Sequence, residues 1–112
     1  MLILDNYLYV AAWGLTTDWS TKIDGRLYKI NMDSKKRIYI SKKPLGHLDG
    51  LEVDHEGNFL VSDWSAGIYK ITPTGDTTVL YEGKKGLADI GWISNSKTLL
   101  IPYMNDNEIQ GI

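Results

Sequence analysis

An internal repeat constrains this chain more than any other feature. Leu27-Tyr28-Lys29-Ile30 returns 41 positions later as Ile68-Tyr69-Lys70-Ile71, and RIYI (37–40) returns as TVLY (78–81) with the same offset. Leu60-Val61 returns as Leu100-Ile101, and Asp49 as Asp89, both after 40. A period in the range of about 20 to 50 residues means that one supersecondary unit is copied along the chain, each copy burying its apolar face on the next. One correspondence departs from the period: YLYVAAW (7–13) matches NFLVSDW (58–64) at 51. The surplus is an insertion into the first copy, from Leu15 to Asp24.

Within a copy, strand-length runs alternate with turn residues. LEV (51–53) is followed by Asp54-His55-Glu56-Gly57, NFLVSD by Ser65-Ala66-Gly67, and IYKIT by Pro73-Thr74-Gly75-Asp76 before TTVLYE. Asp, Gly and Pro at these places set turn geometry, so the pattern predicts a four-stranded antiparallel meander. The 12 aromatic residues (4 Trp, 7 Tyr, 1 Phe) and 11 glycines suit short strands and tight turns. Runs such as YLYVAAW and TLLI lack polar alternation, as expected of strands covered on both sheet faces.

Four strands per period predict an all-β, β-propeller-type fold with blades over 1–41, 48–82 and 88–112. That makes eleven strands, about two and three-quarter blades, with no helix longer than about two turns. Closed propellers use roughly four to eight blades, so the ring is incomplete. The chain is then expected to be a piece of a longer propeller, or to self-associate through exposed blade faces. The competing architecture is a small sandwich with coincidental spacing.

Charge excludes two classes of partner. Twelve Lys and Arg and 14 Asp and Glu are interleaved along the chain, which leaves neither a nucleic-acid footprint nor a polybasic membrane patch. The Lys pairs at 35-36, 42-43 and 84-85 read as solvated surface. There is no cysteine, so disulfides, thiolate catalysis and cysteine-ligated zinc are excluded while the compartment stays open. The longest apolar runs are strand-length, and no signal peptide or spanning helix is expected.

The segment LDGLEVDHEGNFLVSDWSAGIYKITPTG (48–75) resembles the propellers of the senescence-marker-protein/gluconolactonase/regucalcin family, and more distantly NHL repeats. Asp-Gly-Leu, a strand, a Glu-Gly-Asn turn, a strand ending in Asp-Trp and then Gly-Ile-Tyr-Lys-Ile stand in order. The resemblance implies a metal-dependent hydrolase of sugar lactones or related esters, with one divalent cation, often calcium, in the central channel. It puts Asp49 at a metal-ligand position and Asp89 at the equivalent place one blade on. The family's Glu and Asn ligands from earlier blades have no counterparts here.

Strand order directs attention to the same end of the sheets. In an up-and-down meander the second strand ends beside the start of the first, so the loops after Trp13, Trp64 and Met104 share a rim with Asp49 and Asp89. The insertion, carrying Asp18 and Trp19, belongs to that rim, where a loop can act as a lid. Calcium takes about six to eight oxygens, more than two aspartates supply, and Asp49 and Asp89 are equally readable as turn formers. Trp13, Trp19 and Trp64 are candidate walls for a small-molecule ligand such as a lactone, or else packing between blades. Asp63 is a polar candidate or a strand-end hydrogen-bond acceptor. His47 enters the rim and His55 lies in the turn at the opposite end, so they do not form a joint site. No Ser-His-Asp arrangement, phosphate loop or zinc spacing is present. Three functions stay open: a hydrolase, a non-catalytic NHL-like platform for ligand or protein, and a self-associating structural unit.

Overall fold

The computed structural model describes residues 1–17, 20–65 and 67–112, and for 16, 17 and 20–22 the backbone only. In chain order the strands are β1 (Leu2–Leu4), β2 (Tyr7–Ala11), β3 (Gly14–Thr17), β4 (Ser20–Asp24), β5 (Leu27–Asn31), β6 (Arg37–Tyr39), β7 (Leu48–Val53), β8 (Phe59–Asp63), β9 (Gly67–Ile71), β10 (Thr77–Glu82), β11 (Gly91–Ile93), β12 (Thr98–Tyr103) and β13 (Glu108–Gly111), with a single turn of 3₁₀ helix at Met104–Asp106. The fold is all-β, and every pairing of strands is antiparallel. The first sheet has the order β1-β2-β5-β6, the middle sheet β7-β8-β9-β10 and the third β11-β12-β13. Among the described residues no helix is long and apolar enough to cross a membrane.

Among the described residues thirteen strands replace the eleven expected, because the insertion is itself a hairpin, β3 on β4, and not a plain loop. Gly14 opens it at φ +110°, a conformation open to glycine alone at little cost. Gly25 closes it so tightly against the Ala12 carbonyl that no side chain fits there. Of the rim candidates, Asp18 and Trp19 lie outside the described residues.

The middle sheet is packed on both faces. Strand residues alternate sides, so Phe59, Val61 and Ile71 face the first sheet and form one core with Leu27, Ile40, Leu48 and Leu51, closed by Leu2, Tyr9 and Ala11. Leu60 and Ile68 face the third sheet and pack with Leu87, Ile90, Leu99, Ile101 and Tyr103. All five residues of β8 are buried, whereas β2 is half-buried throughout. Burying one such aliphatic side chain contributes about 1.5–3 kcal/mol, so these two cores hold the three sheets together.

A buried hydroxyl fixes the join between the middle and third sheets. Ser62 Oγ accepts from Gly50 N–H (2.7 Å) and donates to the Ala88 carbonyl (2.9 Å). Gly50 sits directly against the Asp89–Ile90 backbone, where any Cβ would collide. The glycine and the serine together bring Asp49 beside Asp89.

Candidate rim site

Antiparallel register places the site at one end of the sheets. Leu48 pairs with Asp63 across β7 and β8, and Leu87 bridges Tyr103 in the third sheet. The end of β8, the segment before β11 and the start of β7 therefore meet, with Trp13 following β2 at the same end.

Asp49 and Asp89 are both exposed. Burial, followed by the charge of Asp89, holds the Asp49 carboxyl above its usual range, and the amino terminus partly offsets this. Burial and Asp89 raise Glu52 in the same way. A cation would relieve this repulsion. Even so, among the described residues no group of three His, Cys, Asp or Glu side chains is placed to hold a metal ion. The pair falls short of the calcium shell that the family resemblance implies.

The aromatic candidates form a cluster that spans two sheets. Trp13 stacks on His47 with ring centroids 4.8 Å apart and planes 13° from parallel, and lies 6.1 Å from Trp64. His47 Nδ1 is 2.6 Å from Ser65 Oγ, while His47 Nε2 and Trp13 Nε1 are buried without a hydrogen-bond partner among the described residues. Trp64 is held by its backbone, which donates to the His47 carbonyl and accepts from Gly86 N–H, both at 2.9 Å. Lys85 Nζ lies 5.2 Å above its ring. A stacked indole and imidazole with unused polar edges can cover the flat face of a small ring and hydrogen-bond its substituents.

Asp63 has a different place. It is 4 % exposed, and Oδ1 accepts from the backbone N–H groups of His47 (3.2 Å) and Ser65 (3.0 Å) while Oδ2 lies 3.4 Å from the Tyr69 hydroxyl. Gly46 packs on the carboxylate so closely that a Cβ would overlap it. These contacts make Asp63 a clasp for the loop that carries His47. At the opposite end, His55 stacks on Trp92 at 6.1 Å, away from the aspartates.

Four residues that were not site candidates in the sequence, Arg26, Tyr28, Arg37 and Tyr39, line with Trp13 a second cavity. The signal for them was the cross-strand register, since Tyr28 pairs with Tyr39 and each strand alternates faces. Comparison with protein-family models, curated protein sequences and solved structures yields no match.

Proposed function

We propose that the three meanders are consecutive blades of a β-propeller and that the rim bearing Trp13, His47 and Trp64 binds a small cyclic molecule such as a lactone. This is the non-catalytic platform reading. What supports the blade assignment is that every sheet turns the same face the same way. Leu8 and Val10, Phe59 and Val61, and Leu99 and Ile101 occupy equivalent positions; the last two pairs lie on a neighbouring sheet, and the first pair looks outward. A stack with one repeated rotation has complementary ends, so the outward faces of the first and third sheets are seats for further blades or for a second copy of the chain.

The observation that carries the ligand reading is the Trp13–His47 stack with its two orphaned ring nitrogens. Buried donors and acceptors without partners are uncommon, and a bound molecule that completes them is one way to account for them. The test is a titration of ¹⁵N-labelled protein with δ-gluconolactone. Saturable shifts confined to the indole N–H signals of Trp13 and Trp64 and the ring of His47 are expected; no shift there, at any concentration, would overturn the reading.

A second reading, metal-dependent lactone or ester hydrolysis, is favoured by the mutual charge of Asp49 and Asp89. It requires further oxygen donors from beyond the described cluster. Calcium raising Tm in the unchanged chain, and not in Asp49→Asn, would support it.

A further inference from the structure

The first and middle sheets share a pattern, and at one place it is inverted in charge. In the middle sheet β8 ends on Asp63 opposite Gly67, with Tyr69 beside them. The corresponding residues of the first sheet are Ala12, Arg26 and Tyr28, and Ala12 N–H donates to the Arg26 carbonyl at 3.1 Å. Where the middle sheet has an acid and a glycine, the first has an alanine and an arginine.

The space that results is a cavity of about 360 Å³ under the β3–β4 hairpin. The Arg26 guanidinium lies 3.9 Å above the Tyr39 ring, and that of Arg37 lies 5.0 Å from the same ring and 5.4 Å from Tyr28. Among the described residues neither arginine has a carboxylate in ion-pair contact. Asp24 also lines the cavity and pairs with neither, so the lining is net positive among the described residues. Arg26 Nη2 donates to the Ser41 carbonyl, but its Nε is buried with no acceptor among the described residues, as is Trp13 Nε1 in the same wall. Leu15 and Ile23, 58 % and 56 % exposed, supply an apolar side from the hairpin.

We propose that this cavity binds a small organic carboxylate. The carboxylate takes the place that Asp63 holds in the middle sheet and meets the fork of Arg26 and the charge of Arg37. A flat or apolar body lies against the hairpin. Guanidinium groups match carboxylates in geometry as well as charge, and stacking on Tyr39 holds the fork in place before the ligand arrives. The site shares Trp13 with the rim, but its arginines lie on the outward face of the first sheet and its ligand is chosen by charge; it belongs to the chain with that face open, since a blade or second copy seated there would cover it.

Benzoate is a suitable probe, with benzamidinium as the same ring carrying the opposite charge. In ¹⁵N spectra of the full chain, at a concentration where light scattering shows a monomer, benzoate should shift the Nε–H signals of Arg26 and Arg37 in a saturable manner, and benzamidinium should not. Arg26→Gln should weaken benzoate about tenfold or more, and Arg37→Gln, at an exposed position, should do the same without disturbing the fold. Ala12→Asp should abolish benzoate binding and raise Tm, because an internal carboxylate then fills the site. The proposal is overturned if benzoate does not bind, if benzamidinium binds as well, or if folded Ala12→Asp binds benzoate as tightly as the unchanged chain.

Discussion

Ile30 and Ile71 are the same residue at the same position of the repeat, and they have different neighbours. Ile71 is fully buried between the first and middle sheets; Ile30, on the outward face of the first sheet, is half-buried. The same contrast separates Val61 from Val10 and the fully buried β8 from the half-buried β2. Strand identity is therefore set locally, by turns and alternation, while burial is set by whether another sheet lies alongside. In a stacked architecture the second depends on position in the stack and not on the residue.

Truncation gives the largest test of this contrast. Ile71→Ala should cost about 3 kcal/mol in urea unfolding, the usual range for deleting a buried aliphatic side chain, and Ile30→Ala about 1 kcal/mol. Equal losses would mean that the outward face of the first sheet is covered in solution. Light scattering checks that directly: the chain is expected to be monomeric at the dilution of the unfolding experiment and to self-associate through the outward faces as concentration rises, and Val10→Lys should reduce that association with little change in Tm.

Next in size is Asp63→Ala, expected to cost about 2 kcal/mol in the same unfolding experiment. It leaves two backbone N–H groups without their acceptor, while the Tyr69 hydroxyl keeps the Leu45 carbonyl. Its counterpart in the first sheet is already Ala12, so the comparison is between a clasp and its natural absence.

Turns separate the sheets again. Gly57 and Gly75 take the left-handed conformation in the middle sheet at φ +82° and +93°. At the matching turns of the outer sheets the same conformation falls on Asp5, Lys97 and Lys35, at φ +53°, +52° and +63°. A side chain there is strained by contact with its own backbone. Lys35→Gly and Lys97→Gly should each stabilise the chain by about 0.5–1 kcal/mol, and Gly57→Ala should destabilise it, all read from thermal melts.

The smallest effect concerns pH. Burial opposes ionisation of Asp54, yet the N–H groups of Asn58 and Glu56, with Lys70 and His55, prevail and hold its carboxyl below the usual range. A lowered pKa means that the folded state releases its proton first, so this stabilisation is present above the ordinary carboxylate range and is lost as pH falls through it. Asp49 and Glu52 have the opposite sign: raised in the folded state, they disfavour folding once ionised, and that penalty is relieved as pH falls. Near neutral pH, Asp49→Asn should therefore raise Tm slightly and Asp54→Asn lower it, and both differences should shrink in acid.

Much of this was legible along the chain. The all-β character followed from turn residues at each strand boundary, and the nearness of Asp49 to Asp89 from equivalent places in adjoining repeats. The hairpin was not legible: GLTT and STKID carry little apolar alternation, and its register is fixed by the φ of Gly14 and the contact of Gly25 on Ala12. Nor was the Trp13–His47 stack, because it joins residues of two sheets whose relative placement no local pattern encodes. The arginine cavity required knowing which side of β5 faces outward.

The hairpin has a further consequence, for the order in which the chain folds. In the middle sheet β8 and β9 are joined by a tight turn, with Asp63 opposite Gly67, whereas β2 and β5 meet only after the chain has run from Ala11 to Leu27. A loop about five times longer costs about 1.4 kcal/mol more to close if it is slack. Because β3 and β4 zip together, as hairpins do within about 1–10 μs, that slack is removed before the strands must find one another. The insertion thus acts as its own splint, and weakening it, for instance with Gly14→Val, should slow formation of the first sheet while leaving the middle sheet to fold at its own rate.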